Sequence, residues 1–546
     1  MLNGYEPVIK VFKAKKVITM DDNHPETTHV AVRDGLILAV GDADCCEGWG
    51  NYEIIDDFKD DILMPGLIEA HAHVSAGGVW RFTYCGHYAR LDPNGNEWGG
   101  VTTYDALIAR LKEIAAQTPQ GEPVVGWGFE PSFLKGDRLS RHQLDAVSYE
   151  HPVVVLHSNF HLLTANTRAL SDAKLLHGSN IQGVVMDADS TANGELQEFA
   201  AMAPVMEHTG VRFSDLADAN GVRAYGKIAK NCGVTTVADL LSDLHDPEVA
   251  MLEEVTADPC FPVRYVPMMN AMTMSPKEAA QRAIALRARS TDKLFLGGAK
   301  LFTDGAIQAF TAMLKEPGYY KGRDQGIWNM EIAHFKEAVK ELNRAGVKTH
   351  VHTNGDRASE LAIEAYEEAL LECANPDLRH TLEHVQLADK SQFLRMRTLG
   401  LTVNVFANHL YYFGDIHWSK SIGPDRAKRM DACKDARAVF DGNFAIHSDA
   451  PVTPMAPLFT AWCAVNRQTQ NGCILGSTQQ ISVKEALYAI TMGAAYVLKM
   501  DDQIGSISVG KRADFVALEQ DPLAIEPMAL KDIKIQGTVL GGTVTV

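Results

Sequence analysis

Eight short apolar segments, most of them separated by helix-length stretches, predict an α/β chain built on a (β/α)8 barrel. Two more observations complete the fold class. Both ends of the 546-residue chain carry short β-rich runs, which predicts one small β-sandwich assembled from the two termini. The stretch from residue 74 to about 232 is too long for one βα loop, so a subdomain is expected to be inserted after the first barrel strand.

Taken in order, residues 1–65 supply the N-terminal part of the sandwich through "VIKVFKAKKVITM", "HVAVRDGLILAVG" and "YEIIDDF". Residues 66–499 hold the barrel. Its strands are read at "GLIEAHAH" (66–73), "GVTTVADL" (233–240), "FPVRYVPMM" (261–269), "LGGAKLF" (296–302), "GVKTHVH" (346–352), "RHTLEHVQ" (379–386), "LTVNVF" (401–406) and "NFAIHSD" (443–449). The inserted subdomain covers about 80–230 and includes "HPVVVLHSNFHLLTANTRAL" and "GELQEFAAM". Helical periodicity marks "PKEAAQRAIALRA" and "MEIAHFKEAVKELNRAG", the second closed by Gly346 as a C-terminal cap. Residues 500–546 return to the β-rich style, and Gly541-Gly542 in "TVLGGTVTV" reads as a hairpin turn.

Composition narrows the function classes. A net charge of −18 with no basic stripe argues against a nucleic-acid or anionic-membrane partner. No run of about 18 apolar residues occurs, and the N-terminus lacks an apolar core of signal-peptide length. The nine cysteines form no CxxC pair, so neither a disulfide framework nor a structural zinc site is indicated. The expectation is a reduced, cytoplasmic protein acting on a small molecule, with a homodimer as the base-rate assembly.

In barrel enzymes the chemistry sits at the C-terminal ends of the strands. His71 and His73, one residue apart, point to the same side of the first strand. His352 ends the fifth, His384 lies on the sixth and Asp449 ends the eighth. Neutral imidazoles and a carboxylate are ligands for zinc and similar divalent ions. A single histidine on an apolar strand is ordinarily a hydrogen-bonded core residue, so the signal lies in the set. "GGAKLFTDGAIQ" (297–308) adds Lys300 on an apolar strand, where a lysine is rarely buried without a partner. It is either an edge-strand lysine reaching water or part of the site.

"MPGLIEAHAH", "RHTLEHVQ", "AIHSDAP" and "IGSISVGKRADFVAL" resemble the amidohydrolase superfamily. "GWGFEPS", "KLFTDGAIQ", "HVHTNGDRA" and "SDAPVTPMAPL" resemble its YtcJ-like branch, which includes N-substituted formamide deformylases; the match runs in order from about residue 60 to 520. The resemblance implies a distorted TIM barrel with a flanking β-sandwich and a metal-dependent hydrolase using one or two divalent cations, zinc foremost, with iron or manganese also suited. It assigns one ion to His71, His73 and Asp449, and a second to His352 and His384. Lys300 falls at the bridging position, as an N6-carboxylated lysine; the alternative is a mononuclear site with Lys300 as a hydrogen-bond donor.

The implied reaction is hydrolysis of a non-peptide C–N bond (amide, formamide or cyclic amide) by a metal-activated hydroxide. Asp449 is the implied base, His409 in "VFANHL" the group that steadies the oxyanion, and His161 in "SNFHLL" a residue that closes over substrate; for the last two a structural role is the other reading. Deamination, ester or lactone hydrolysis, or a regulatory protein on the same fold are the alternatives. Asp304 and Asp356 follow strand ends beside glycines, where they line the site or hold its loops. Trp127 and Phe129, at i and i+2, suggest an aromatic wall or ordinary core packing. Glu198 reads as a helix residue facing the cleft or solvent. His350 and His447 depart from the branch pattern and form either a histidine-rich pocket floor or deeper packing.

Overall fold

In the computed structural model, residues 8–545 are described apart from 135, 137, 159, 323–325 and 376. Eight parallel strands form the central sheet: β1 Leu67–Ala72, β2 Val234–Ser242, β3 Arg264–Asn270, β4 Gly298–Phe302, β5 Thr349–Thr353, β6 Thr381–His384, β7 Thr402–Val405 and β8 Ala445–Ile446. They are hydrogen-bonded in this order, every pairing parallel. The ladder does not pass between β8 and β1, but there the Asp449 N–H donates to the His71 carbonyl at 3.1 Å. The result is a nearly closed, distorted TIM barrel. Strands such as β6 and β7 are buried at every residue, as a parallel sheet covered by helices requires.

The crossover helices begin and end where local chemistry dictates. Helix Pro276–Arg287 starts at a capping box formed by Ser275 and Glu278, with proline at its first position. Helix Ile332–Arg344 buries Phe335, Ala338, Val339 and Leu342 and stops where Gly346 turns to φ +66° and donates to Asn343 O. Between β7 and β8 the chain makes helix His409–Ile416, a π-turn His417–Ser421, and helices Gly423–Arg429 and Cys433–Val439.

Both termini contribute to a second eight-stranded sheet. Its order is Thr543–Thr545, Ile535–Leu540, Phe515–Leu518, Ile62–Pro65, Ile9–Ile18, Glu26–Arg33 and Leu36–Gly41, with Tyr52–Ile55 also paired to Ile9–Ile18. Phe12 and Phe515 meet edge to face at 5.6 Å in its core. Gly541 and Gly542, both at positive φ, turn the last hairpin, the conformation that favours glycine in two-residue turns. At the N-terminal end of β3 the buried Arg264 grips Asp514 with Nε and Nη2 (2.7 and 2.9 Å) and Asp292 with Nη1 (2.9 Å), tying the barrel to this sheet.

Val74–Ile228, with Ala450–Pro454, form a separate compact unit. Its mixed sheet runs Val184–Met186, Ala192–Gln197, Leu162–Ala165, Val153–His157, Val124–Phe129, Thr83–Tyr84. Trp127 and Phe129 are both fully buried here. The register of their strand shifts between them, with Gly128 at φ +85°, so the rings enter different cores. Trp127 packs against Trp80 and Tyr84, and Phe129 against Tyr104 and His157. A break in the two-residue period thus separates the side chains whose spacing suggested one wall, and each ring packs in its own core.

Candidate active site

The C-terminal ends of β1, β4, β5, β6 and β8 converge on one cluster. Parallel register places Lys300 abreast of His350, and His352 abreast of Glu383. His71 Nε2 lies 3.3 Å and His73 Nε2 3.2 Å from Asp449 Oδ1. His384 Nε2 is 3.1 Å from His352 Nδ1, and His384 Nδ1 is 3.0 Å from His447 Nε2. The His71 ring stacks on that of His447 with centres 4.5 Å apart.

These spacings fit a divalent cation. With metal–nitrogen bonds of about 2.0–2.1 Å, adjacent ligand atoms stand about 3.0–3.4 Å apart at ordinary coordination angles. Among the described residues, His71, His73 and Asp449 form one group whose donor atoms all lie within 4.8 Å of one another; His71, His384 and His447 form another. Burial, then neighbouring imidazoles, hold His384 and His447 well below the ordinary imidazole value, which keeps them in the neutral form that ligates.

Glu383 organises this cluster, and sequence reasoning passed over it. Its Oε2 accepts from His71 Nδ1 at 2.7 Å and from Asn404 Nδ2 at 2.9 Å, while Oε1 accepts from His350 Nδ1 at 2.6 Å. Burial pushes the Glu383 carboxyl up, but His71 and His350 more than reverse this and hold it well below the carboxylate range. With Nδ1–H donated to Glu383, His71 presents its Nε2 to Asp449. The one signal in the sequence was an acidic residue within "RHTLEHVQ", next to His384 on an apolar strand. Glu69 is a second omission. It is buried on β1 and accepts from the backbone N–H groups of His71 and Ser448 and from Ser448 Oγ (2.6 Å).

Lys300 has no exposed surface, and among the described residues its Nζ has no hydrogen-bond partner. Burial lowers its pKa to about 8, with Glu383 and Asp449 opposing. His350 is bound through Nδ1 to Glu383, and His447 to His384, so each of these two departures from the branch pattern holds a neighbouring polar side chain. Asp304, fully buried and raised to about 7 by burial, accepts from the backbone N–H groups of Met313, Asn354 and Gly355 at 2.8–3.0 Å. It therefore fastens the loops after β4 and β5. Asp356 caps another loop by accepting from Lys315 N. His409 is buried after β7, its ring centre 6.5 Å from that of His384. In the separate unit, His161 Nδ1 pairs with Glu198 Oε2 at 3.0 Å.

The backbone is strained where the ligands sit. His384, Val385 and Asp449 all have positive φ (65°, 41° and 52°). Each such non-glycine residue costs about 1–3 kcal/mol, and such outliers gather at functional sites.

Fold and donor set together define a (β/α)8 protein with a His/Asp cluster at its strand ends that could hold a metal ion. The chain belongs to the amidohydrolase family, which matches residues 55–546. It is 26% identical to YtcJ of Bacillus subtilis (strain 168) over 545 residues, 97% of each chain. It is 23% identical to the N-substituted formamide deformylase of Arthrobacter pascens, over 96% of each. These relatives place it in the YtcJ-like branch. Among solved structures, a metal-dependent hydrolase from Pyrococcus horikoshii OT3 superposes with a TM-score of 0.73 at 21% identity, covering 95% of this chain and 99% of that one. The family is one of hydrolases. No described helix is long and apolar enough to cross a membrane.

Proposed function

We propose that the protein hydrolyses a non-peptide C–N bond in an amide, formamide or cyclic amide, using one or two divalent cations, zinc foremost. The convergence of His71, His73 and Asp449 beside the unpartnered Lys300 Nζ carries this reading. A cation held there supplies Lewis acidity and lowers the pKa of water toward about 7. The chain's own groups account for the proton movements. Asp449 accepts the proton of the attacking water on a carboxylate oxygen and returns it to the departing nitrogen. His409 donates an N–H to the carbonyl oxygen as negative charge builds there. His161 is assigned the role of closing over bound substrate.

Lys300 is proposed to be carboxylated. A pKa near 8 leaves neutral amine available at physiological pH. The Nζ lone pair adds to CO2 and one proton leaves, giving a carbamate whose two oxygens share one negative charge and would serve as metal ligands. His352 and His384 would hold a second ion.

Metal analysis, intact mass and a panel of N-substituted formamides, simple amides and cyclic amides test the reading. Bound divalent metal, a mass gain of one CO2 and chelator-sensitive turnover are expected in the wild type, all lost in Lys300→Ala. Full metal content and activity in Lys300→Ala overturn the bridging role. Turnover confined to ring amines with ammonia release, or to esters and lactones, overturns the bond assignment.

A further inference from the structure

The segment between β7 and β8 buries a polar group that the metal ligands do not use. His409 opens helix His409–Ile416 with its ring against Phe406, centres 3.9 Å apart. Its Nδ1 faces Asp431 Oδ1 at 3.5 Å. Asp431 has no exposed surface, and among the described residues no other cationic side chain lies within 4 Å of its carboxylate, nor does any group hydrogen-bond to either oxygen within ordinary limits.

A natural partner stands nearby and is turned away. The buried Arg467 donates Nη1 to Asp431 O (2.8 Å), Nη2 to Met430 O (2.8 Å) and Nε to Leu475 O (2.6 Å), three carbonyls and no carboxylate. Those bonds, with Asp431 N–H donating to Gln386 O (2.9 Å), hold Asp431 at φ +49°. A buried carboxylate kept only for stability would take the guanidinium. Here the backbone is clamped and the carboxylate is left for an imidazole. The same pocket holds His417, edge-on to His409 with centres 6.2 Å apart, in the π-turn, a form of backbone frequent at functional sites.

We propose that Asp431 is the positioning residue for His409: its carboxylate pairs with the imidazolium through Nδ1–H, fixing the ring so that Nε2–H is the donor presented to the substrate carbonyl oxygen. This rests on the role given to His409 above.

Asp431→Asn, His409→Gln and the double variant test it, with Asp431→Gly as a second probe, because Asn and Gly both accept a left-handed backbone. The expected result for Asp431→Asn is unchanged metal content, an equal or higher melting temperature, and a kcat about 100-fold lower with KM within about twofold; a buried aspartate that orients a catalytic imidazole can be worth about 10⁴ in kcat. The double variant should be no slower than His409→Gln. In ¹⁵N spectra of the His409 ring, both nitrogens should carry a proton in the wild type, and a neutral tautomer mixture should appear in both Asp431 variants. Lower melting temperatures in both Asp431 variants with unaltered kcat, additive losses in the double variant, or an unchanged ring spectrum overturn the proposal. The melting and spectral measurements need no substrate, so they decide Asp431 even if the proposed reaction fails.

Discussion

Arg264 and Lys300 are buried cations on adjacent strands of one barrel, and they are treated in opposite ways. Arg264, at the N-terminal end of β3, makes four hydrogen bonds to Asp514 and Asp292 and is bonded to both carboxylates. Lys300, on β4, is equally buried and bonds to nothing among the described residues. Burying a polar group without a partner costs about 1–3 kcal/mol, more for a charge. The contrast separates charge that holds the fold together from charge that the fold holds ready for something else. Around Lys300 the same condition recurs at His350 Nε2 and His447 Nδ1, which also lack hydrogen-bond partners among the described residues.

The comparison breaks if changes at the paired end disturb metal binding, or if changes at the strand ends mainly disturb folding. The largest effect expected is at Arg264: Arg264→Ala leaves Asp514 buried and unpaired and should cost about 3–5 kcal/mol in denaturant unfolding, with metal content per folded molecule intact. Next comes Glu383→Gln, which can no longer accept from both histidines as an anion. Metal affinity should fall about 10–100-fold in chelator competition, while the melting temperature of the metal-free protein barely moves.

A comparable, pH-dependent effect is expected at Lys348, at the start of β5. Burial lowers its pKa to about 7, although its ammonium donates to Arg379 O and Thr381 Oγ1. Between pH 7 and about 10 the unfolded chain binds this proton and the folded one does not, so wild-type stability rises with pH through that window. Denaturation at pH 6 and pH 9 should show the wild type gaining on Lys348→Met by about 2–3 kcal/mol. The least effect belongs to Lys336→Ala, whose ion pair with Glu368 is half-exposed; a change beyond about 0.5 kcal/mol would mean that surface charge matters more here than the contrast allows.

The barrel was legible because its evidence is local. Each strand is a short apolar run, and each of His71, His73, Lys300, His352, His384 and Asp449 lies on or directly after one. What escaped is carried by contacts far apart in sequence. Glu383 was in view, but its partner His71 is 312 positions away. Asp431 sits in the short link between helices Gly423–Arg429 and Cys433–Val439, with no periodic signal, and only folding brings it to His409. Positive φ at His384 and Asp449 leaves no trace in residue type, since neither is glycine. Trp127 and Phe129 show the converse, where a local two-residue spacing is broken by the one glycine between them.

The seam between β8 and β1 gives the candidate ligands a mechanical meaning. His71 and His73 belong to the first strand and Asp449 follows the last, and a single backbone hydrogen bond from Asp449 to His71 crosses beside them. A cation shared by the three would act as a rivet closing the ring of strands. Its loss should then register first as faster amide exchange at residues 71–73 and 447–449, with β3 and β4 still protected, so that cofactor occupancy and barrel closure become one quantity.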